Sequence, residues 1–218
     1  MWKVDRDIVV IGGSAGALDP LKEIVTDLPS DLPAAVLVAL HLAATAPSAL
    51  APILSRLGGM QAVAPRDGDK LRPGFVYVGS PDRHLELSDG TIRLTHGPKV
   101  NGMRPAVDVL FRSAAAAYGP RVVGVVLSGG LDDGSGGLAA IRAAGGTTIV
   151  QSPDDALMES MPRNAIAVAS PEHVVPSAKP NAASGDAAWP TRMPRPSAGC
   201  CSSDPTRRVL SRARSRSG

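Results

Sequence analysis

The stretch Asp7-Ile8-Val9-Val10-Ile11-Gly12-Gly13-Ser14-Ala15-Gly16 is the one whose reading decides the fold. Its apolar run is continuous rather than alternating, which is the pattern of a strand covered on both faces, and it ends in glycine. Ala17 to Asp27 then carries apolar residues at helical spacing and stops before Pro29. Strand Asp7 to Gly12, tight turn and helix form a β-turn-α unit, the building block of parallel sheets.

The same unit recurs downstream. Ala34 to Leu40 is a second apolar run, ending at His41, and Ser48 to Leu57 reads as the next helix, closed by Gly58-Gly59. The alternation predicts an α/β fold with a doubly wound, mostly parallel sheet flanked by helices. Between Phe75 and His96 the period changes to two: Phe75 to Gly79, His84 to Leu87, an Asp89-Gly90 turn, then Thr91 to Thr95. That pattern predicts a short antiparallel hairpin inserted there. Helical spacing returns from Pro105 to Tyr118, Arg121 to Leu127 reads as another buried strand, and a glycine-rich loop runs from Ser128 to Gly137. A further strand, a helix and a strand are expected within Leu138 to Gln151, and His173 to Val175 is the expected last strand.

Composition agrees. Of 218 residues, 44% are hydrophobic but only 3% aromatic, so the interior must be built from Ala, Val, Leu and Ile, which suits helices packed closely on a sheet. From Ser177 onward eight basic residues stand against two acidic ones, a tail of +6, which leaves the remainder of a +3 chain at −3. The basic character therefore belongs to the tail and gives no ground for reading the folded part as a nucleic-acid binder. After Pro176, Ser, Pro, Ala, Gly and Arg dominate and too little apolar surface remains to offset the entropy of ordering. A globular domain over 1–176 and a disordered basic tail over 177–218 are expected. Cys200 and Cys201 are adjacent within that tail, so neither a disulfide framework nor a zinc site is indicated. The charged residues Met1 to Asp7 contain no signal core, and no apolar run approaches the roughly 18 residues that span a bilayer. A soluble cytoplasmic protein is the expectation.

Three residues fall at strand ends. Ser14 lies in a G-x-S-x-G spacing at a strand-helix junction, where small neighbours allow a tight turn that presents the hydroxyl, and the helix after it directs N–H groups and its positive end at a developing oxyanion. The bland reading is a plain glycine-rich turn or a phosphate cradle. His41 ends the second strand, on the edge where open α/β sheets carry their ligand crevice, and a neutral imidazole can take the serine proton. His84, His96 and His173 are weaker candidates. Asp132 and Asp133 follow the strand Arg121 to Leu127, and a carboxylate there could orient the histidine, although an Asp before Gly also makes turns and helix N-caps. These patterns do not choose between the two aspartates. The order Ser, His, Asp differs from that of the α/β-hydrolases. Nucleotide binding is disfavoured, because no G-x-x-x-x-G-K-[ST] is present and no G-x-G-x-x-G starts at the turn.

Blocks from about Asp7 to Val175 resemble, in order and spacing, the catalytic domain of the chemotaxis-type protein-glutamate methylesterases, the CheB-like family. They are Ile8 to Gly16, Val38 to His41, Pro73 to Leu87, Arg104 to Phe111, Val126 to Gly134, and Met161-Pro162-Arg163. The resemblance implies Ser14 as nucleophile, His41 as general base and Asp133, which directly precedes the glycine, as orienting acid. It further implies hydrolysis of glutamate methyl esters on a chemoreceptor or related signalling protein, often with glutamine deamidation, and no metal or organic cofactor. Three features depart from the family pattern. Its members usually carry a receiver domain ahead of the esterase strand where this chain begins, so control by an aspartyl phosphate of its own is not expected. Ala15 stands where a hydroxylic residue is common, and Gly130 where methionine is. The competing expectation is a binding or regulatory module of the same fold without useful turnover. Arg104, Pro105 and Asp108 open a helix; an arginine there could meet an anionic receptor surface or simply be ion-paired, and these residues stay outside the expected site.

Overall fold

The computed structural model describes residues 6–41 and 49–176. The expected tail, with its cysteines, and the first residues lie outside the described residues, as does Ser48. In chain order the elements are β1 (Ile8–Gly13), α1 (Leu18–Asp27), β2 (Ala35–Leu40), α2 (Leu50–Leu57), β3 (Gln61–Val63), β4 (Phe75–Val78), β5 (His84–Ser88) and β6 (Thr91–Thr95). They continue with α3 (Val107–Tyr118), β7 (Val122–Val126), α4 (Ser135–Ala143), β8 (Thr147–Gln151), α5 (Ser160–Ala169) and β9 (His173–Val175).

Seven strands form one parallel sheet in the order β3-β4-β2-β1-β7-β8-β9, and β5 pairs with β6 in a separate antiparallel hairpin. The mostly parallel, doubly wound α/β architecture is therefore as expected. Successive side chains of β1 serve opposite faces, as strand geometry requires. Ile8 and Val10 join a core with α3, α4, α5 and the hairpin's Leu85, Leu87 and Ile92, while Val9 and Ile11 join a core with α1 and α2. Each face being covered explains why these strands read as continuous apolar runs.

Two local expectations are corrected. Phe75–Val78 belongs to the parallel sheet, between β2 and β3, and not to the hairpin; Val76, Tyr77 and Val78 are all buried, so their apparent alternation carried no information about a solvent face. Within Leu138 to Gln151 there is a helix and one strand only, since α4 already starts at Ser135 and occupies the segment through Ala143. The helix α5 and the short edge strand β3 had no counterpart in the expectations.

β1 sits at the centre. From it the chain passes to β2, on to edge strand β3 and back to β4 between them, then crosses to the other side for β7, β8 and β9. The carboxyl end of β1 is thus the topological switch point, where crevices open in sheets of this kind.

Candidate active site

β1 and β2 pair with Gly13 opposite Leu40, and the His41 N–H donates to the Gly13 carbonyl at 3.2 Å. The next residue of β1 is Ser14, so Ser14 and His41 leave the sheet side by side at its carboxyl edge. On the other side of β1, the Leu127 N–H donates to Gly12 O at 2.8 Å and the Ser14 N–H to Ser128 O at 2.9 Å. These bonds bring the loop that carries Asp133 alongside the serine. Parallel register alone therefore gathers three residues far apart in sequence.

Of the two aspartates, the structure brings Asp133 to His41. Asp132 is exposed, whereas Asp133 is 1% exposed, with Oδ2 accepting from His41 Nε2 at 2.7 Å. Oδ2 also accepts from the Val107 N–H at 2.7 Å, and Oδ1 accepts from the Asp108 N–H at 3.1 Å and from Asn101 Nδ2 at 2.9 Å. Burial alone would push this carboxyl up, but the bonds from His41, Val107, Asp108 and Asn101 outweigh it and hold the group below its ordinary value of 3.8. Two of the four donors are first-turn amides of α3, so the carboxylate also sits at that helix's positive end. An N-cap role was weighed for an aspartate here, and Asp133 does cap a helix. The helix is α3 rather than the one that follows in sequence, whose first-turn Gly137 N–H is taken by Asp108 instead.

An ionised carboxylate accepts only, so His41 Nε2 is the donor in this bond. Nδ1 is buried and makes no hydrogen bond among the described residues. The histidine is thus held by one nitrogen, and its backbone N–H is bonded to Gly13 O, one residue before half-buried Ser14.

The α3 start is wedged into place by Val107, which is fully buried. A Cβ on Gly12 would lie 2.1 Å from Val107 Cγ1, and one on Gly134 would lie 2.7 Å from the same atom. Only glycine at both positions lets the helix approach closely enough for its amides to reach Asp133.

Ser128, also fully buried, ties three loops together. Its hydroxyl donates to Ala15 O at 2.8 Å and accepts from the Met158 N–H at 2.9 Å, while its own N–H donates to Gln151 Oε1 at 2.8 Å. Gly129 adds an N–H bond to Met158 O at 3.0 Å and accepts from Met161 N–H at 2.9 Å. The serine turn is therefore buttressed by the β8–α5 segment, whose side chains Leu157 and Met158 remain 79% and 43% exposed beside it. Leu157 reaches the turn directly, since a Cβ on Gly16 would lie 2.6 Å from Leu157 Cβ.

Arg104 is ion-paired, as one of its two readings held. Its Nη2 and Nε reach Asp82 Oδ1 at 2.6 and 2.9 Å, and its Nη1 donates to Gly97 O at 2.7 Å. The hydrogen bond from Arg104 holds the Asp82 carboxyl below its ordinary range. His84, 2% exposed, accepts from the Ala106 N–H through Nδ1 and donates to Pro98 O through Nε2, a structural role in holding the segment ahead of α3. Asp108, set aside on sequence grounds, accepts from the Gly137 N–H at 2.6 Å and so ties α4 to α3 behind Asp133. Sequence reasoning missed Ser128 and Asn101. Among the described residues no three His, Cys, Asp or Glu side chains converge to hold a metal ion, and no helix is long and apolar enough to cross a membrane.

Comparison with known proteins places this geometry. The sequence model described as CheB methylesterase matches residues 9–182. A Symbiobacterium thermophilum protein named protein-glutamate methylesterase/protein-glutamine glutaminase is 38% identical over 175 residues, covering 80% of this chain and 48% of that protein. A Leptospira interrogans protein provisionally given the same name is 33% identical over 173 residues, covering 79% of this chain and 90% of its own. The crystal structure of the Thermotoga maritima CheB methylesterase catalytic domain superposes with a TM-score of 0.75 at 31% identity, covering 80% of this chain and 94% of that one. The chain spans about half the length of the first of these relatives.

Proposed function

Because the chain belongs to the CheB methylesterase family, we propose that it hydrolyses glutamate methyl esters on a chemoreceptor-type protein, with Ser14 as nucleophile, His41 as base and Asp133 as orienting acid. The observation that carries this reading is His41 itself: Nε2 is fixed on buried Asp133, Nδ1 is buried and has no hydrogen-bond partner among the described residues, and the His41 N–H is bonded to Gly13 O, one residue before Ser14. A hydroxyl near neutral pH needs a base at that position.

Ser14 Oγ attacks the ester carbonyl as its proton passes to His41 Nδ1. The imidazolium so formed is stabilised by the Asp133 carboxylate through Nε2–H. Of the turn's amides, that of Ser14 is bound to Ser128 O and that of Ala17 to Ser14 O. The amides of Ala15 and Gly16, which make no such bond among the described residues, would receive the oxyanion. Collapse expels methoxide, which leaves as methanol with the proton from Nδ1, and Ser14 becomes acylated. Water then attacks that acyl group, giving one proton to Nδ1; Ser14 Oγ recovers that proton as the glutamate carboxyl departs, and the carboxyl releases water's other proton to solvent. A glutamine amide would follow the same course with ammonia as the first product. Exposed Leu131, Leu157 and Met158 near the turn support a protein rather than a small ester as substrate, since they offer apolar surface to whatever carries the ester.

Methanol release from a methylated receptor fragment by the wild-type chain and by Ser14→Ala tests the reading. Release by the wild type alone is expected; equal release by both would overturn the role of Ser14, and none from either folded protein would overturn the reaction.

A further inference from the structure

We infer that Asn101, an exposed residue at the tip of a tight turn, is a positioning residue for the histidine–aspartate pair, acting through its amide donor on Asp133; the inference rests on the proposed reaction. Val100 and Met103 exchange backbone hydrogen bonds at 3.2 and 2.9 Å, and the two residues between them, Asn101 and Gly102, have φ of +53° and +75°. Positive φ at both central residues is the signature of a type I′ turn, which favours Asn-Gly. The turn needs a residue that tolerates this backbone, but it makes no demand on where the asparagine side chain goes.

That side chain reaches inward. Nδ2 donates to Asp133 Oδ1 at 2.9 Å and lies 3.4 Å from Asp108 Oδ2. Besides His41, it is the only side chain that hydrogen-bonds Asp133 among the described residues. The groups facing this spot are His41 from the end of β2, Asp133 from the loop before α4, and Asp108 from α3 with Arg112 paired to it at 3.0 Å. Two buried carboxylates thus meet one neutral donor that bridges them. By occupying the outer lone pair of Oδ1, the amide fixes the rotation of the carboxylate so that Oδ2 faces Nε2. It also covers from solvent a group that is 1% exposed although its neighbour Asn101 is at the surface.

Two substitutions separate this role from that of the turn. Gly-Gly and Asp-Gly both form type I′ turns, so Asn101→Gly and Asn101→Asp keep the backbone while removing the donor; the aspartate also sets a third carboxylate against Asp133 and Asp108. Both variants are expected to keep the wild-type KM on a methylated receptor fragment. kcat is expected to fall about tenfold or more, as suits loss of a hydrogen bond to a charged group, and further for Asn101→Asp. In both, the acid limb of the kcat/KM profile is expected to move to higher pH, because a carboxylate with fewer donors holds a proton on its imidazole partner more tightly. Nitrogen-15 NMR of the histidines, with His41→Ala for assignment, supplies a readout that needs no substrate: a single Nε2–H tautomer in the wild type, and a mixture in Asn101→Gly. Wild-type kcat, acid limb and tautomer in both variants would overturn the inference and reduce Asn101 to a turn former. Should the wild type release no methanol at all, the proposed reaction fails while the tautomer comparison still decides the role of Asn101.

Discussion

Nε2 of His41, rather than Nδ1, faces Asp133, at 2.7 Å from Oδ2. In the serine-protease arrangement the nitrogens serve the other way round, with Nδ1 on the aspartate and Nε2 on the serine. Here the nitrogen left for the proposed base role is Nδ1, the one nearer the histidine's own backbone, on a residue that follows directly from a strand neighbouring the serine's.

Asp133→Asn is expected to lower kcat on a methylated receptor fragment by about three to four orders of magnitude. One amide oxygen cannot accept from four donors, and its NH2 would be turned against N–H groups of His41, Val107, Asp108 or Asn101. A concurrent loss of about 1–3 kcal/mol of stability is expected for the donors left unpaired, measured by urea unfolding. A variant within tenfold of wild type would contradict the role assigned to Asp133.

The same residue sets an acid dependence of stability. Its carboxyl lies below 3.8 when folded, so the folded chain binds fewer protons than the unfolded chain in that range. The stabilisation is whole above the unfolded value and is lost as pH falls through the folded one. Wild type is therefore expected to lose stability faster than Asp133→Asn below about pH 4, narrowing the gap between them. Exposed carboxyls with lowered values, Asp67, Asp82 and Glu159, are present in both proteins and cancel in the comparison.

Ser128→Ala removes the hydroxyl that joins Ala15 O to the Met158 N–H. A stability loss of about 1–3 kcal/mol is expected from the two buried partners. Loosening of the serine turn is expected to reduce kcat by about tenfold or more. Thermal unfolding and methanol release on one preparation check both; loss of stability with kcat intact would make Ser128 a purely structural tie.

Leu131, 65% exposed, holds φ of +65°, where a Cβ costs about 1–2 kcal/mol. Glycine relieves that strain but returns about 0.5–1 kcal/mol through the unfolded chain's freedom. Leu131→Gly is expected to stabilise by about 0.5–1 kcal/mol, read as a higher urea midpoint at unchanged slope. A lower midpoint would mean that the leucine packs against more than its exposure indicates.

Truncation after Pro176 is expected to leave unfolding within about 0.5 kcal/mol of the full chain and methanol release unchanged. The family match runs on to residue 182, so a second truncation after residue 182 locates the boundary. Loss in the shorter form alone would place the end of the domain beyond Pro176.

The fold was legible where burial on both faces wrote itself as continuous apolar runs, as in β1, β2 and β7. It was less legible at β4, whose mix of Val and aromatics suits a half-exposed strand equally well, and at α5, where Pro162 sits in the first turn. Ser14 and His41 could be read from their places at strand ends. The choice of Asp133 over Asp132 needed the resemblance, because which carboxylate turns inward depends on a loop conformation that residue types do not encode. The α3 amides that hold Asp133 were invisible in principle, since backbone donors have no letter of their own. Asn101 was visible in part: Asn-Gly announces a turn, but nothing in that pair announces where the amide points.

Val107 has a consequence for how such a protein can change. One side chain spaces β1 from α3, fills the gap beside Gly134, and belongs to the residue whose amide holds the Asp133 carboxylate. A search that alters positions 12, 107 and 134 one at a time will meet a dead end at each, since a methyl added at either glycine overlaps the valine and trimming the valine alone leaves a void. Paired exchanges, such as Gly12→Ala with Val107→Ala, relieve the overlap that either glycine exchange alone creates, so change at this seam is coupled across two elements.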